Sequence, residues 1–171
     1  PPAKIEAMRA DIRELSKDLG VGLVDSTQAA YNALSAGVPS DNLITFLETA
    51  AKTGIAGVAS TNESVELLAG LMNTYKIEFG EADAVSDKLF ATVKNGVTTI
   101  PQLGAALGQV APSAANAGVE LDDLLAAMAS ITKQGVNTAQ ASTGLSAAIT
   151  ALLNPTEQLT GIYEELGVAG G

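Results

Sequence analysis

Three pairs of acids are the nearest approach this chain makes to a catalytic group: Asp122 with Asp123, Glu164 with Glu165, and Asp83 with Asp87. Two carboxylates suffice for glycoside hydrolysis, one as acid and the other as base or nucleophile. A wall hydrolase using Asp122 or Glu120 is therefore the enzymatic reading to weigh. Yet each pair falls in a helical first turn or on a charged helical face, where solvated acids are ordinary. Lys52, Lys94 and Lys133 fall near expected helix C-termini, where the helix dipole stabilises a cation. Gly54-Ile55-Ala56-Gly57 lacks the Lys-Ser or Lys-Thr of a phosphate loop and follows no strand. Gly104-x-x-x-Gly108 has the small-xxx-small spacing that lets two helix backbones approach, and in an Ala-rich bundle it reads as core packing. With no Cys and no His, there is no disulfide framework, no metal site built on those ligands and no His general base. No catalytic, cofactor-binding or metal-binding residue is expected, so the chain reads as a non-enzyme without a cofactor.

What remains is architecture. A length of 171 residues is enough for one domain with a real core. Three Phe, three Tyr and no Trp leave that core to Ala, Leu and Val, which suits helix on helix better than a sheet sandwich. The net charge of −10 with only nine Lys and Arg argues against a duplex nucleic-acid binder, which would carry a basic stripe to neutralise phosphates. It reads as a solubility device. The missing Cys fits a cytoplasmic origin. The start at Pro1-Pro2 shows no signal peptide and reads as a fragment of a longer chain. Two uncharged stretches, Asn95 to Val119 and Gln134 to Thr156, have the length of a membrane span. Their Gly, Ser, Thr, Asn and Gln content makes them half-buried helices instead.

The punctuation marks helices throughout. Ile5, Met8, Ile12, Leu15 and Leu19 form a heptad-like seam over 3–19, ended by Gly20 and Gly22. Residues 1–20 are thus an amphipathic helix that docks on the domain or ends a longer coiled coil, with 21–171 as the domain proper. Further helices are expected over 26–36, capped by Asp25 or Ser26, and over 41–53, capped by Ser40 and closed near Gly54. Ser60-Thr61-Asn62-Glu63 is a capping box opening a helix with Val65, Leu68, Leu71, Met72 and Tyr75 inward. The next runs over 81–95 with Val85, Leu89 and Val93 inward and Gly96 as its stop. Thr99 to Gln102 is a second box, and its helix is kinked or broken at Pro112. Helices over 121–134, from a Thr138 cap to Asn154-Pro155, and over 156–166 complete an all-α bundle of about eight to nine short helices. Tyr31-x-x-Leu34-x-x-Gly37-Val38 is echoed by Phe90-x-x-Val93-x-x-Gly96-Val97, and 67–71 by 124–128. Two halves of one design would produce this, and so would shared helix grammar.

Certain phrases carry a resemblance: Leu34-Ser35-Ala36-Gly37-Val38-Pro39, Ala50-Ala51-Lys52, Val110-Ala111-Pro112, Ala117-Gly118-Val119, Leu125-Ala126-Ala127-Met128 and Thr132-Lys133-Gln134-Gly135. In this order, over about residues 25 to 168, the chain resembles the tail tape measure proteins of long-tailed bacteriophages and prophages. The resemblance implies a structural protein that templates tail tube polymerisation, sets tail length and is ejected ahead of the DNA. It implies the tail tube protein, tail assembly chaperones and tail-tip or baseplate proteins as partners. It places the protein in the tube lumen of the virion tail, and in the host cytoplasm during assembly. Sequence-specific nucleic-acid contact is not implied, and membrane contact arises only during ejection. The seam of the first helix offers self-association. The rival readings are a stand-alone helical adaptor domain, the hydrolase above and a membrane-active segment using the two uncharged stretches.

Overall fold

A computed structural model of the chain describes residues 2–154. Over these residues it forms eight α-helices: α1 (Pro2–Leu19), α2 (Leu23–Ser35), α3 (Leu43–Gly57), α4 (Thr61–Tyr75), α5 (Ala82–Asn95), α6 (Ile100–Asn116), α7 (Leu121–Lys133) and α8 (Thr138–Leu153). A 3₁₀ turn, Phe79–Glu81, precedes α5. The architecture is all-α, as the composition requires. The helix expected over 156–166 lies outside the described residues.

Helical periodicity decides which faces turn inward. On α4, Val65, Leu68, Leu71 and Met72 are buried as the spacing predicts, and Tyr75 is half-buried. Helices α4 and α6 are the central pair: α4 packs on α2, α3 and α6, while α6 also carries α8. Helices α5 and α7 pair beside them, and α1 lies against α2 and α3. Phe46 is fully buried and meets Phe79 edge to face, with ring centroids 5.7 Å apart. The seam of α1 docks only in part. Ile12 is buried, whereas Ile5 is 55% exposed.

Several helix stops share one geometry. At Gly37 (φ +95°) and Gly118 (φ +77°) the chain turns left-handed. The next N–H then reaches back five residues: Val38 to the Ala33 carbonyl at 3.0 Å and Val119 to that of Ala114 at 2.9 Å. This Schellman closure satisfies carbonyls that a helix end would orphan. It recurs where no glycine announces it. Val58 (φ 54°) and Lys76 (φ 55°) are left-handed, and Ala59 and Ile77 donate to Gly54 and Met72 at 2.8 Å.

Several boundaries differ from expectation. Helix α3 does not close near Gly54 but runs to Gly57, because Gly54 supplies the acceptor of the closing bond. Lys52 therefore sits inside α3, one turn from Glu48, which it meets at 2.6 Å. That hydrogen bond and the adjacent negative charge raise its pKa. Neither Ser40 nor Asp25 or Ser26 caps a helix; Asn42 and Gly22 hold those positions without a side-chain cap bond. The cap of α8 is Asn137, whose side chain accepts from the Gln140 N–H at 2.9 Å. Thr138 is freed to bond Thr98 at 2.8 Å. Pro112 does not break α6. Burial of Ala111 and Ala114, with the Val119 closure beyond, holds the turn that lacks its Pro112 N–H.

The echo between the two halves holds for helix order and fails at the turn. Helix α2 packs on α4 as α5 packs on α7. But Gly37 is left-handed with Val38 buried, whereas Gly96 has φ −107° and Val97 is exposed. Gly96 is needed for closeness instead: a Cβ there would lie 2.6 Å from Thr132 Oγ1 and 3.0 Å from the Ala129 Cα.

The capping box at α4 is complete. Ser60 Oγ accepts from the Glu63 N–H at 3.1 Å, and the Glu63 carboxylate accepts from the Ser60 N–H at 2.7 Å and its hydroxyl at 2.8 Å. These bonds hold the Glu63 pKa below the ordinary carboxylate value. A depressed folded pKa stabilises the fold above about pH 4.3, the unfolded value, and this is lost as pH falls through the folded pKa. Comparing thermal melts at pH 7 and pH 3, Glu63→Gln should remove part of the acid sensitivity, and Ser60→Ala should cost about 1 kcal/mol at pH 7. Val58 is 89% exposed, so Val58→Gly loses no burial and relieves the left-handed strain. Urea unfolding should show it more stable by about 1 kcal/mol.

Candidate functional site

The acids named from the sequence do not converge. Asp122 opens α7 and pairs with Lys88 of α5 at 2.7 Å, both side chains substantially exposed. Asp123 is exposed beside it, and Glu120 is the α7 N-cap without a cap bond from its side chain. Asp83 accepts a hydrogen bond from Thr49 Oγ1 of α3, and Asp87 lies one turn on along α5, exposed. Glu164 and Glu165 lie outside the described residues. Lys94 and Lys133 close α5 and α7 as expected. Among the described residues, no group of three or more His, Cys, Asp or Glu could hold a metal ion, and no helix is long and apolar enough to cross a membrane.

Buried hydroxyls were not singled out by sequence reasoning, and they join the helices. Thr53 Oγ1 and Ser86 Oγ lie 2.7 Å apart between α3 and α5. Thr132 Oγ1 donates to the Met128 carbonyl at 2.8 Å and accepts from the Val97 N–H at 3.2 Å. Ser142 Oγ of α8 donates to the Ala106 carbonyl of α6 at 2.8 Å. The available signal was Thr45, Thr49 and Thr53 at four-residue spacing on α3, one helical face.

An open groove of about 480 Å³ runs between α4 and α6, based on Leu67, Leu71, Ile100 and Leu107. Glu63 and Glu66 line its α4 wall, and Pro101, Ala105 and Pro112 its α6 wall. Gly70, Gly104 and Gly108 also face it. This corrects the expectation that Gly104-x-x-x-Gly108 packs in the core. A Cβ at Gly70 or Gly108 would meet nothing within 4 Å, and one at Gly104 only Leu67 at 3.9 Å. No helix among the described residues crosses close over these backbones, so the spacing faces outward. By contrast, Gly57 lets α3 meet α6, since a Cβ there would lie 2.4 Å from Ile100 Cγ1.

The whole bundle matches one family model. Residues 9–170, from within α1 through both walls of the groove and beyond, fit the model described as "Phage-related minor tail protein". The chain belongs to this family. The curated proteins it resembles include the "Probable tape measure protein" of Clostridium phage phiCD119, 33% identical over 113 residues, or 64% of this chain and 12% of the relative. The "Probable tape measure protein" of Escherichia phage P2 is 24% identical over 97% of this chain and 20% of its own length. The "Tape measure protein" of Pneumococcus phage Dp-1 is 21% identical over 95% of this chain and 14% of its own. The chain thus spans between 12% and 20% of the curated relatives it matches. No solved structure matches it. As a phage-related minor tail protein the chain is a structural component of a phage tail.

The glycines of this tail-protein domain separate by substitution. Gly57→Ala forces a methyl against buried Ile100 and should cost about 1–3 kcal/mol. Gly70→Ala and Gly108→Ala place the methyl in open space inside a helix and should each stabilise by about 0.5–1 kcal/mol. Chemical denaturation of the three variants reads both signs.

Proposed function

We propose that this domain is a folded interaction module of a tape measure protein. The match of residues 9–170 to the tail family, within relatives several times longer, carries the reading. In the full-length protein, extended helical segments template polymerisation of the tail tube protein and so set tail length. A helix advances about 1.5 Å per residue, which makes chain length a ruler. Tail assembly chaperones, the tube protein and tail-tip or baseplate proteins are its partners. Its place is the tube lumen after assembly in the host cytoplasm, and it leaves ahead of the DNA. Residues 1–20 join the module, residues 21–171, to a coiled coil, and the seam around exposed Ile5 supports self-association there. The role is assembly and not catalysis, consistent with acids that are dispersed and solvated.

A folded module is a poor ruler. Drawn out as one helix, 171 residues would span about 250 Å at the α-helical rise, whereas α1, the longest helix among the described residues at 18 residues, spans about 27 Å. In-frame deletion of its codons from the phage genome, followed by electron microscopy and plaque assay, tests the proposal. The expected result is absent or malformed tails, or tails whose shortening falls well below the full-helix figure. Normal tails with normal infectivity would overturn it.

A further inference from the structure

The helices stack in an order that the sequence repeats. Helices α1, α3, α5 and α7 pack each on the next in one row, and α2, α4, α6 and α8 do so in a second. Each helix of the first row runs into a Gly-Val pair: Gly20-Val21, Gly57-Val58, Gly96-Val97 and Gly135-Val136, spaced 37, 39 and 39 residues apart. The pair has no single geometry, since Gly20 and Gly135 are left-handed while Gly57 and Gly96 admit close contacts. What repeats is the length of one helical hairpin, the period of a stacked array. Each first-row helix also rests on both helices of the hairpin before it: α3 on α1 and α2, α5 on α3 and α4, α7 on α5 and α6.

The two edges of this array differ. At the near edge α1 turns Glu6, Arg9, Arg13 and Lys17 outward, the polar face that ends a stacked array. At the far edge α8 has no charged residue among its sixteen, although a helix with one side in water ordinarily carries charge there. Leu152 and Leu153 at its end are exposed. On α7, Ala127 and Ile131 are half-buried on the side turned away from Ala129, where the end of α5 sits at Gly96.

Residues 155–171 follow α8 and lie outside the described residues. Their sequence holds a fifth Gly-Val pair, Gly167-Val168, preceded by Leu159, Ile162, Tyr163 and Leu166 at the spacing of one helical face. Glu157 and Glu164 fall opposite them. The first helix has the same ending: Ile12, Leu15, Ser16 and Leu19 stand before Gly20-Val21 in identical register. Those four are the residues by which α1 docks, Ile12 and Ser16 buried, Leu15 and Leu19 half-buried. Asn154, ahead of Pro155, has already left the helical region (φ −127°, ψ 69°), as a residue before proline does. The segment that follows therefore starts beside the bare edge, tethered to it at high effective concentration.

We propose that residues 156–166 form the first helix of a fifth hairpin, seated on α7 and α8 as α7 is seated on α5 and α6. Leu159, Ile162 and Leu166 face Ala127 and Ile131 of α7 and Leu145 of α8, while Glu157 and Glu164 face water. The stacked array thus runs past α8. This holds whether or not the module takes part in tail measurement.

The test uses the 171-residue chain with a photocrosslinking phenylalanine derivative at Ala127 on α7, or at Ala105 on the outer side of α6. Mixing isotope-labelled and unlabelled chains shows by mass spectrometry whether an adduct joins one chain or two. The Ala127 adduct should lie within residues 156–168 of the same chain, and Ala105 should give none there. Hydrogen exchange should find the amides of 156–166 protected. Ile162→Asp should cut that protection, and that of the end of α8, by about tenfold or more. Protection in α1 to α4 should not change, because stacked hairpins feel only their neighbours. Glu164→Gln should leave both regions as they are. Unprotected amides in 156–166, adducts joining two chains, or adducts to this segment from Ala105 would each overturn the proposal. So would protection that survives Ile162→Asp.

Discussion

The thinness of the side chains is the constraint on which the fold depends. A core with so few aromatics cannot keep helices apart and still fill the space between them, since interiors pack to crystal-like density. The axes must come close, and the closest points are where side chains vanish. Gly57 lets the end of α3 meet Ile100 at the start of α6, and Gly96 seats the end of α5 on Thr132 of α7. The first seam ties the first half of the chain to the second, and the other joins two helices within the second half. Phe46, Leu68, Leu103 and Met128, all fully buried, then fill what the close approach leaves.

Close approach brings backbone carbonyls near one another, and the buried hydroxyls answer that. A Thr or Ser one turn beyond a carbonyl can donate back to it, as Thr53 does to Thr49 and Thr132 to Met128. The same oxygen then accepts or shares a bond with a neighbouring segment, at Ser86 on α5 and at Val97 just beyond it. Small polar side chains thus cross interfaces that larger ones would prop open, and each adds about 1 kcal/mol when made. Among the described residues one buried side-chain polar atom lies outside this scheme: the Tyr75 hydroxyl has no hydrogen-bond partner there, and burial pushes its pKa up.

Much of this was legible. The phrases that carried the family resemblance, Ala36-Gly37-Val38 and Ala117-Gly118-Val119, are helix-closing turns in which glycine takes the left-handed residue and valine supplies the returning N–H. Those two phrases are helix stops, whereas Val110-Ala111-Pro112 and Leu125-Ala126-Ala127-Met128 lie inside α6 and α7, so the resemblance follows architecture and names no site. The failures have physical causes. Val58 and Lys76 turn left-handed against their own preference, because the closing bonds and the packing on either side outweigh a local cost of about 1–2 kcal/mol. Gly54 looked like a terminator and is the acceptor of one. Asn137 took the cap because Thr138 had a better partner across the bundle in Thr98.

Glycine is the residue whose meaning the sequence alone could not separate. In this chain it serves as a left-handed hinge at 37 and 118, as a contact point at 57 and 96, and as bare wall at 70, 104 and 108. All three uses produce the same letter amid the same Ala, Leu and Ser. Only the space above the Cα distinguishes them. The first two uses are maintained by folding itself, because a side chain there strains the backbone or collides with Ile100 or Thr132. The third is not, since folding alone would favour alanine at every such position. Gly70, Gly104 and Gly108 are thus the positions whose identity does not follow from the bundle's own stability.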